Sequence, residues 1–161
     1  MTLYINTTDS EIMTVALGDK GVLMAKSRVK AKYQQSEKLL KTIDKLLGSL
    51  CLNLNSRRSK PCVTGVGRGK VQRALDLSQI KGIVVVNGSG PFSATRIGVA
   101  TANALAYGLN ISVVGIKANE FENIDELIKK GYQRVKNCKK NNTVEPFYDK
   151  EPSITKSKKS Y

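Results

Sequence analysis

The feature that most constrains the fold lies in the second half of the chain. Ile83-Val84-Val85-Val86 and Ile111-Ser112-Val113-Val114-Gly115-Ile116 are short apolar runs of the kind that strands buried on both faces show. Residues 94–109 between them read as a helix. Two strands joined through a helix run parallel, and the crossover is expected to be right-handed. The stretch Ile97–Ile116 carries no charge for 20 residues, the length of a membrane span. Asn103, Asn110, Ser112 and glycines 98, 108 and 115 inside it favour a helix, a turn and a strand instead.

The first half has a different rhythm. Residues 2–8 and 12–17 are rich in β-branched and aromatic side chains, and Val22-Leu23-Met24-Ala25 resumes after the turn signal Gly18-Asp19-Lys20-Gly21. This predicts an antiparallel meander of three strands. Leu39, Leu40, Ile43, Leu46, Leu47 and Leu50 then fall at helical spacing, with Ser36 as the expected N-cap. A last amphipathic helix is expected over 124–137, with Ile124, Leu127, Ile128, Tyr132 and Val135 on one face. Asn123 and Glu126 form a capping-box-like start. Three antiparallel strands, helix, strand, helix, strand, helix describe an α/β architecture with a mixed five-stranded sheet and covering helices. That is the succession of a ribonuclease-H-like or actin-like ATPase domain, and fold alone names no activity.

Composition removes several chemistries. The chain has 161 residues and no histidine, so it supplies no imidazole base and no histidine metal ligand. Its cysteines, at 51, 62 and 138, match neither a metal-ligand pair nor a disulfide framework, which implies a reducing compartment. The opening residues lack a basic segment before an apolar core, so no signal peptide is read and a cytoplasmic protein is expected. With 27 Lys+Arg against 13 Asp+Glu, the net charge is +14.

The segment Asn87-Gly88-Ser89-Gly90-Pro91-Phe92-Ser93-Ala94-Thr95-Arg96-Ile97-Gly98-Val99-Ala100, continuing to Gly108, resembles the G-P-G-S-F-T-G-L-R-I-G-V-A motif of the TsaB (YeaZ) family. Leu3-Tyr4-Ile5-Asn6-Thr7-Thr8 with Val15-Ala16-Leu17 is similar to that family's opening hairpin, and Ser36–Leu47 to its first helix. Glu145-Pro146-Phe147-Tyr148-Asp149-Lys150-Glu151-Pro152 resembles its closing P-x-Y-x-x-x-P tail. The resemblance implies a non-catalytic scaffold subunit of the machinery that makes threonylcarbamoyladenosine in tRNA. Its partners would be a TsaD-like transferase and a TsaE-like ATPase, with tRNA served indirectly. No cofactor, resident metal or membrane partner is implied, and self-association without the partner is open. TsaD-type catalysts hold a metal through paired histidines, which this chain lacks.

The sequence also departs from the family. Residues 1–121 match its first domain, with a longer basic loop at about 52–75. A helix within 122–143 stands where a second domain usually follows, before the tail at 144–161. This is expected to be an internally shortened family member. Gly-Ser-Gly-Pro-Phe-Ser replaces Gly-Pro-Gly-Ser-Phe-Thr at 88–93.

Three candidate sites follow. By position in the family, the partner interface would use the helices from Ser36 to Leu50 and from Thr95 to Tyr107, with Leu40, Ile43, Leu47, Arg96, Ala100, Asn103, Ala104 and Tyr107. Small residues on nearly every face of the second helix fit either a helix enclosed in its own domain or one that a partner approaches closely. Gly88, Ser89 and Gly90 could cradle a phosphate or simply turn the chain into the helix. No Walker lysine follows, and Asn6 stands where actin-like ATPases place a metal-binding carboxylate. Arg57, Arg58, Lys60, Arg68, Lys70 and Arg73, without an intervening acid, are either solvated surface or contacts to RNA phosphates. The rival functional readings are accordingly an independent RNA-binding module or a degenerate phosphotransferase.

Overall fold

The computed structural model describes residues 1–53, 77–140 and 142–148. Strands β1 (Thr2–Asn6), β2 (Ile12–Asp19) and β3 (Val22–Lys30) form the expected meander. Lys20 and Gly21 both have positive φ, as a two-residue type I′ hairpin turn between β2 and β3 requires. Helix α1 (Gln35–Asn53) leads out of the meander. Strand β4 (Gly82–Val86), helix α2 (Phe92–Leu109) and strand β5 (Ser112–Ile116) follow, and α3 (Ile124–Asn137) is the last helix. The sheet order is β3-β2-β1-β4-β5, with β1 parallel to β4 and β4 parallel to β5.

Alternation along the central strands assigns each face its helices. Leu3, Ile5, Val15, Leu17, Ile83, Val85 and Val113 face one way, onto Leu39, Ile43, Leu46 and Leu47 of α1 and Val99, Ala102 and Ala106 of α2. Tyr4, Ala16, Val84, Val86 and Ile116 face the other way, onto Leu127 and Ile128 of α3. The result is three layers, with α3 in the same unit as residues 1–121. Among the described residues, no helix is long and apolar enough to cross a membrane.

Three local expectations need correction. β3 continues to Lys30 instead of ending with the apolar run at Ala25. It is an edge strand, so its outer positions can be charged without losing the ladder. Ser36 lies inside the first turn of α1, which begins at Gln35, and so is not the cap. At α3, Asn123 accepts from the Glu126 N–H as expected, but Glu126 accepts in return from the Glu122 N–H and not from that of the cap residue.

Tyr4 ties the α3 layer to the sheet. Its hydroxyl donates to the Ile128 carbonyl at 2.9 Å, and burial pushes its pKa from 10.0 up to about 12. Burial penalises the phenolate, so the unfolded chain loses this proton first as pH rises. Tyr4 therefore contributes stability that is intact below pH 10 and falls away between pH 10 and about 12. Replacing Tyr4 with Phe should cost about 1 kcal/mol at neutral pH. It should also remove about 1 kcal/mol per pH unit from the alkaline slope of wild-type stability. Urea unfolding of both proteins between pH 8 and 12 checks this; parallel slopes would contradict it.

Candidate interaction face and glycine turn

Helix α2 divides its small residues between two tasks. Ala94, Thr95, Gly98, Val99, Ala102 and Ala106 are buried against the sheet. Ala100, Ala104, Tyr107 and Gly108 face outward, and a Cβ at Gly108 would meet nothing within 4 Å. Tyr107 is 87% exposed. Beside α2, helix α1 turns Leu40 to solvent at 56% exposure, a large apolar side chain left mostly open by this chain. One face of α2 is enclosed in its own domain, and the opposite face stays open.

The expected interface residues therefore separate. Leu40, Ala100, Ala104 and Tyr107 lie on the open face. Ile43 and Leu47 do not: at 3% and 5% exposure they belong to this chain's core, because the sheet uses most of the α1 stripe. Asn103 is half-buried, and its amide works within the chain. Its Nδ2 donates to the Val144 carbonyl at 2.9 Å, and its Oδ1 accepts from the Val144 N–H at 3.0 Å. Arg96 is exposed, with its guanidinium 4.1 Å from the centre of the Phe92 ring and its Nε donating to the Tyr148 hydroxyl at 2.8 Å.

These contacts define a strap, residues 142–148, that returns across the sheet to the start of α2. Asn87 donates its side-chain N–H to the Glu145 carbonyl at 2.9 Å, and the Phe147 N–H donates to the Asn87 carbonyl at 2.6 Å. Phe147 lies beside Gly88 as a parallel bridge, with the Lys117 ammonium 3.9 Å from its ring centre. The Tyr148 and Phe92 rings lie 4.8 Å apart.

The strap also accounts for the glycine turn. A Cβ at Gly88 would come within 2.9 Å of the Phe147 ring, and one at Gly90 within 2.5 Å of the Thr8 backbone. Close packing on both sides thus requires these two glycines. Asn6 is used locally, its Oδ1 accepting from the N–H and hydroxyl of Thr8 at 3.0 and 2.7 Å. Among the described residues, no group of three or more His, Cys, Asp or Glu could hold a metal ion. Arg57, Arg58, Lys60, Arg68, Lys70 and Arg73 lie outside the described residues.

The three layers and the return of the chain to a glycine turn define an actin-like α/β unit. Solved structures carry this further: YeaZ from Pseudomonas aeruginosa superposes with a TM-score of 0.54 at 20% identity, covering 72% of this chain and 43% of that one. A structure described as an uncharacterized protein with similarity to peptidase YEAZ from Pseudomonas aeruginosa gives the same score and identity, over 72% and 42%. In fold, then, the chain is TsaB-like. At the sequence level, residues 71–130 match the family model "TsaD: tRNA N6-adenosine threonylcarbamoyltransferase". The tRNA N6-adenosine threonylcarbamoyltransferase of Geotalea daltonii is 40% identical over 70 residues, which is 43% of this chain and 20% of that protein. The chain spans less than half the length of the YeaZ structures and a fifth of that transferase.

In the sequence, Phe147 and Tyr148 stand out only as part of a tail motif. Their role depends on pairings across 41 to 58 residues, Asn103 with Val144 and Asn87 with Glu145, which no local pattern encodes. If Asn103 anchors the strap, Asn103→Ala should lower stability by about 1–2 kcal/mol. Amide exchange at Val144 and Phe147 should accelerate at least tenfold while that of β4 follows global stability alone. Unchanged exchange at Val144 would show that the anchor lies elsewhere.

Proposed function

We propose that the chain is a non-catalytic scaffold subunit of the tRNA threonylcarbamoyladenosine machinery, which binds a TsaD-type threonylcarbamoyltransferase and holds it in a competent arrangement. The observation that carries the reading is the open face of α2 with its α1 neighbour. Ala100, Ala104 and Gly108 leave room for another helix, and Leu40 and Tyr107 offer apolar contact at its edges. Tight helix pairing favours such a combination of small residues flanked by larger anchors. Ile43 and Leu47 have no part in the proposed contact; they support it from beneath.

The lack of histidine in the chain speaks for a helper whose chemistry resides in the partner. On the same reading the assembly recruits a TsaE-like ATPase and acts on tRNA. On this reading residues 1–121 correspond to the family's first domain, with α3 covering the second face of its sheet. A degenerate phosphotransferase is less well supported, since Phe147 and Thr8 occupy the space beside the two turn glycines.

Co-expression with a TsaD-like transferase from the same genome should give one complex on gel filtration at micromolar concentration. Ala104→Glu should raise the dissociation constant at least a hundredfold, because the carboxylate would be desolvated in the contact without a partner. Its circular dichroism and melting should stay close to wild type, since Ala104 is exposed. Separate elution of the wild-type proteins, or undiminished binding by Ala104→Glu, would contradict the reading.

A further inference from the structure

Strand β3 forms one edge of the sheet, and its outer half is a basic ridge. Lys26, Arg28 and Lys30 alternate along it, all exposed, and pair across the ladder with Ala16, Thr14 and Ile12. Residues two apart on a strand point to the same face about 7 Å from one another. Three cations thus stand in a row, each opposite an uncharged residue of β2. Among the described residues none of the three forms an ion pair. Glu11, next in the chain to the Lys30 partner Ile12, lies 3.7 Å from Lys32, and Asp9 accepts from the Glu11 and Ile12 N–H groups. Glu122 shares with Arg28 the lining of a 140 Å³ cleft and makes no ion pair with it. Lys38 of α1 donates its ammonium to the Lys30 carbonyl at 2.8 Å and is thereby engaged within the chain.

An aromatic ring stands where the ridge ends. Tyr33 is 90% exposed and has φ +58°. The left-handed region disfavours a bulky side chain by about 1–2 kcal/mol, and burial returns nothing to this ring. Its one aromatic contact among the described residues is the Lys32 ammonium, 6.0 Å from the ring centre.

We propose that this ridge is an RNA-binding surface, with Lys26, Arg28 and Lys30 neutralising successive phosphates of one strand and Tyr33 stacking on a base at its end. The row matches the spacing of phosphates along an extended strand, and an exposed ring beside lysines is the arrangement that tolerates any base. The choice of RNA over another polyanion rests on the tRNA-modification reading above. The ridge is separate from the open face of α2 and from the 57–73 segment in sequence. Lysines on an edge strand also discourage edge-to-edge pairing, so the test must separate the two roles.

Fluorescence anisotropy with a labelled, unmodified tRNA transcript and the full chain, between 50 and 200 mM KCl, makes that separation. The triple variant Lys26→Gln, Arg28→Gln, Lys30→Gln should bind at least tenfold more weakly. Its plot of log affinity against log salt should be shallower by about 2, from three lost single-strand phosphate contacts. Lys26→Arg with Lys30→Arg should keep the wild-type slope. Tyr33→Ser should weaken binding about tenfold and leave the slope unchanged. The proposal is overturned if wild type shows no salt-dependent tRNA binding, or if the triple variant keeps the wild-type slope, whether or not it self-associates. It is equally overturned if the triple substitution alters binding to phosphatidylserine vesicles but not to tRNA. Transferase binding measured in parallel should be the same for the triple variant and wild type. Loss of tRNA binding alone supports the ridge, whereas failure of wild type to bind the transferase undermines only the scaffold reading.

Discussion

The structure depends on the burial of β4. Every residue of Gly82–Val86 is buried, with β1 on one side and β5 on the other, both parallel to it. A strand with apolar side chains on both faces requires cover above and below. One face receives α1 and α2, the other α3, and these layers leave the outer surface of α2 without cover from the described residues. The open face and the edge ridge on β3 are both consequences of how the sheet closes around β4.

The backbone of the fold is legible in the sequence because its signals are local. Ile83–Val86 and Ile111–Ile116 read as buried strands from their apolar, β-branched composition, and α3 is bounded by Asn123 and its apolar face. The remainder of β3 is not legible, because Lys26, Arg28 and Lys30 break an apolar pattern that an edge strand does not need. The α1 stripe shows which residues are apolar but not how many the sheet will use. Leu40 and Ile43 look alike in sequence, yet one is exposed and the other buried. The strap is hidden for a different reason, since Asn103 and Val144 meet only through the tertiary fold.

The glycines at 88 and 90 illustrate how one pattern serves two physical needs. A glycine turn before a helix can present N–H groups to a phosphate, and it can also let two backbones touch. Here Phe147 and Thr8 make the touching sufficient explanation. The small residues of α2 divide similarly, but their outward half has no neighbour among the described residues to explain it. That asymmetry is why the scaffold reading is drawn from α2 and no phosphate site is drawn from the turn.

Hydrogen–deuterium exchange of the chain, alone and with a TsaD-type transferase from the same genome, addresses the scaffold reading most directly. New protection is expected over residues 100–108 of α2 and around Leu40 of α1, with exchange in α3 unchanged. Complex formation that protects α3 or the strap and leaves α2 as it was would contradict it.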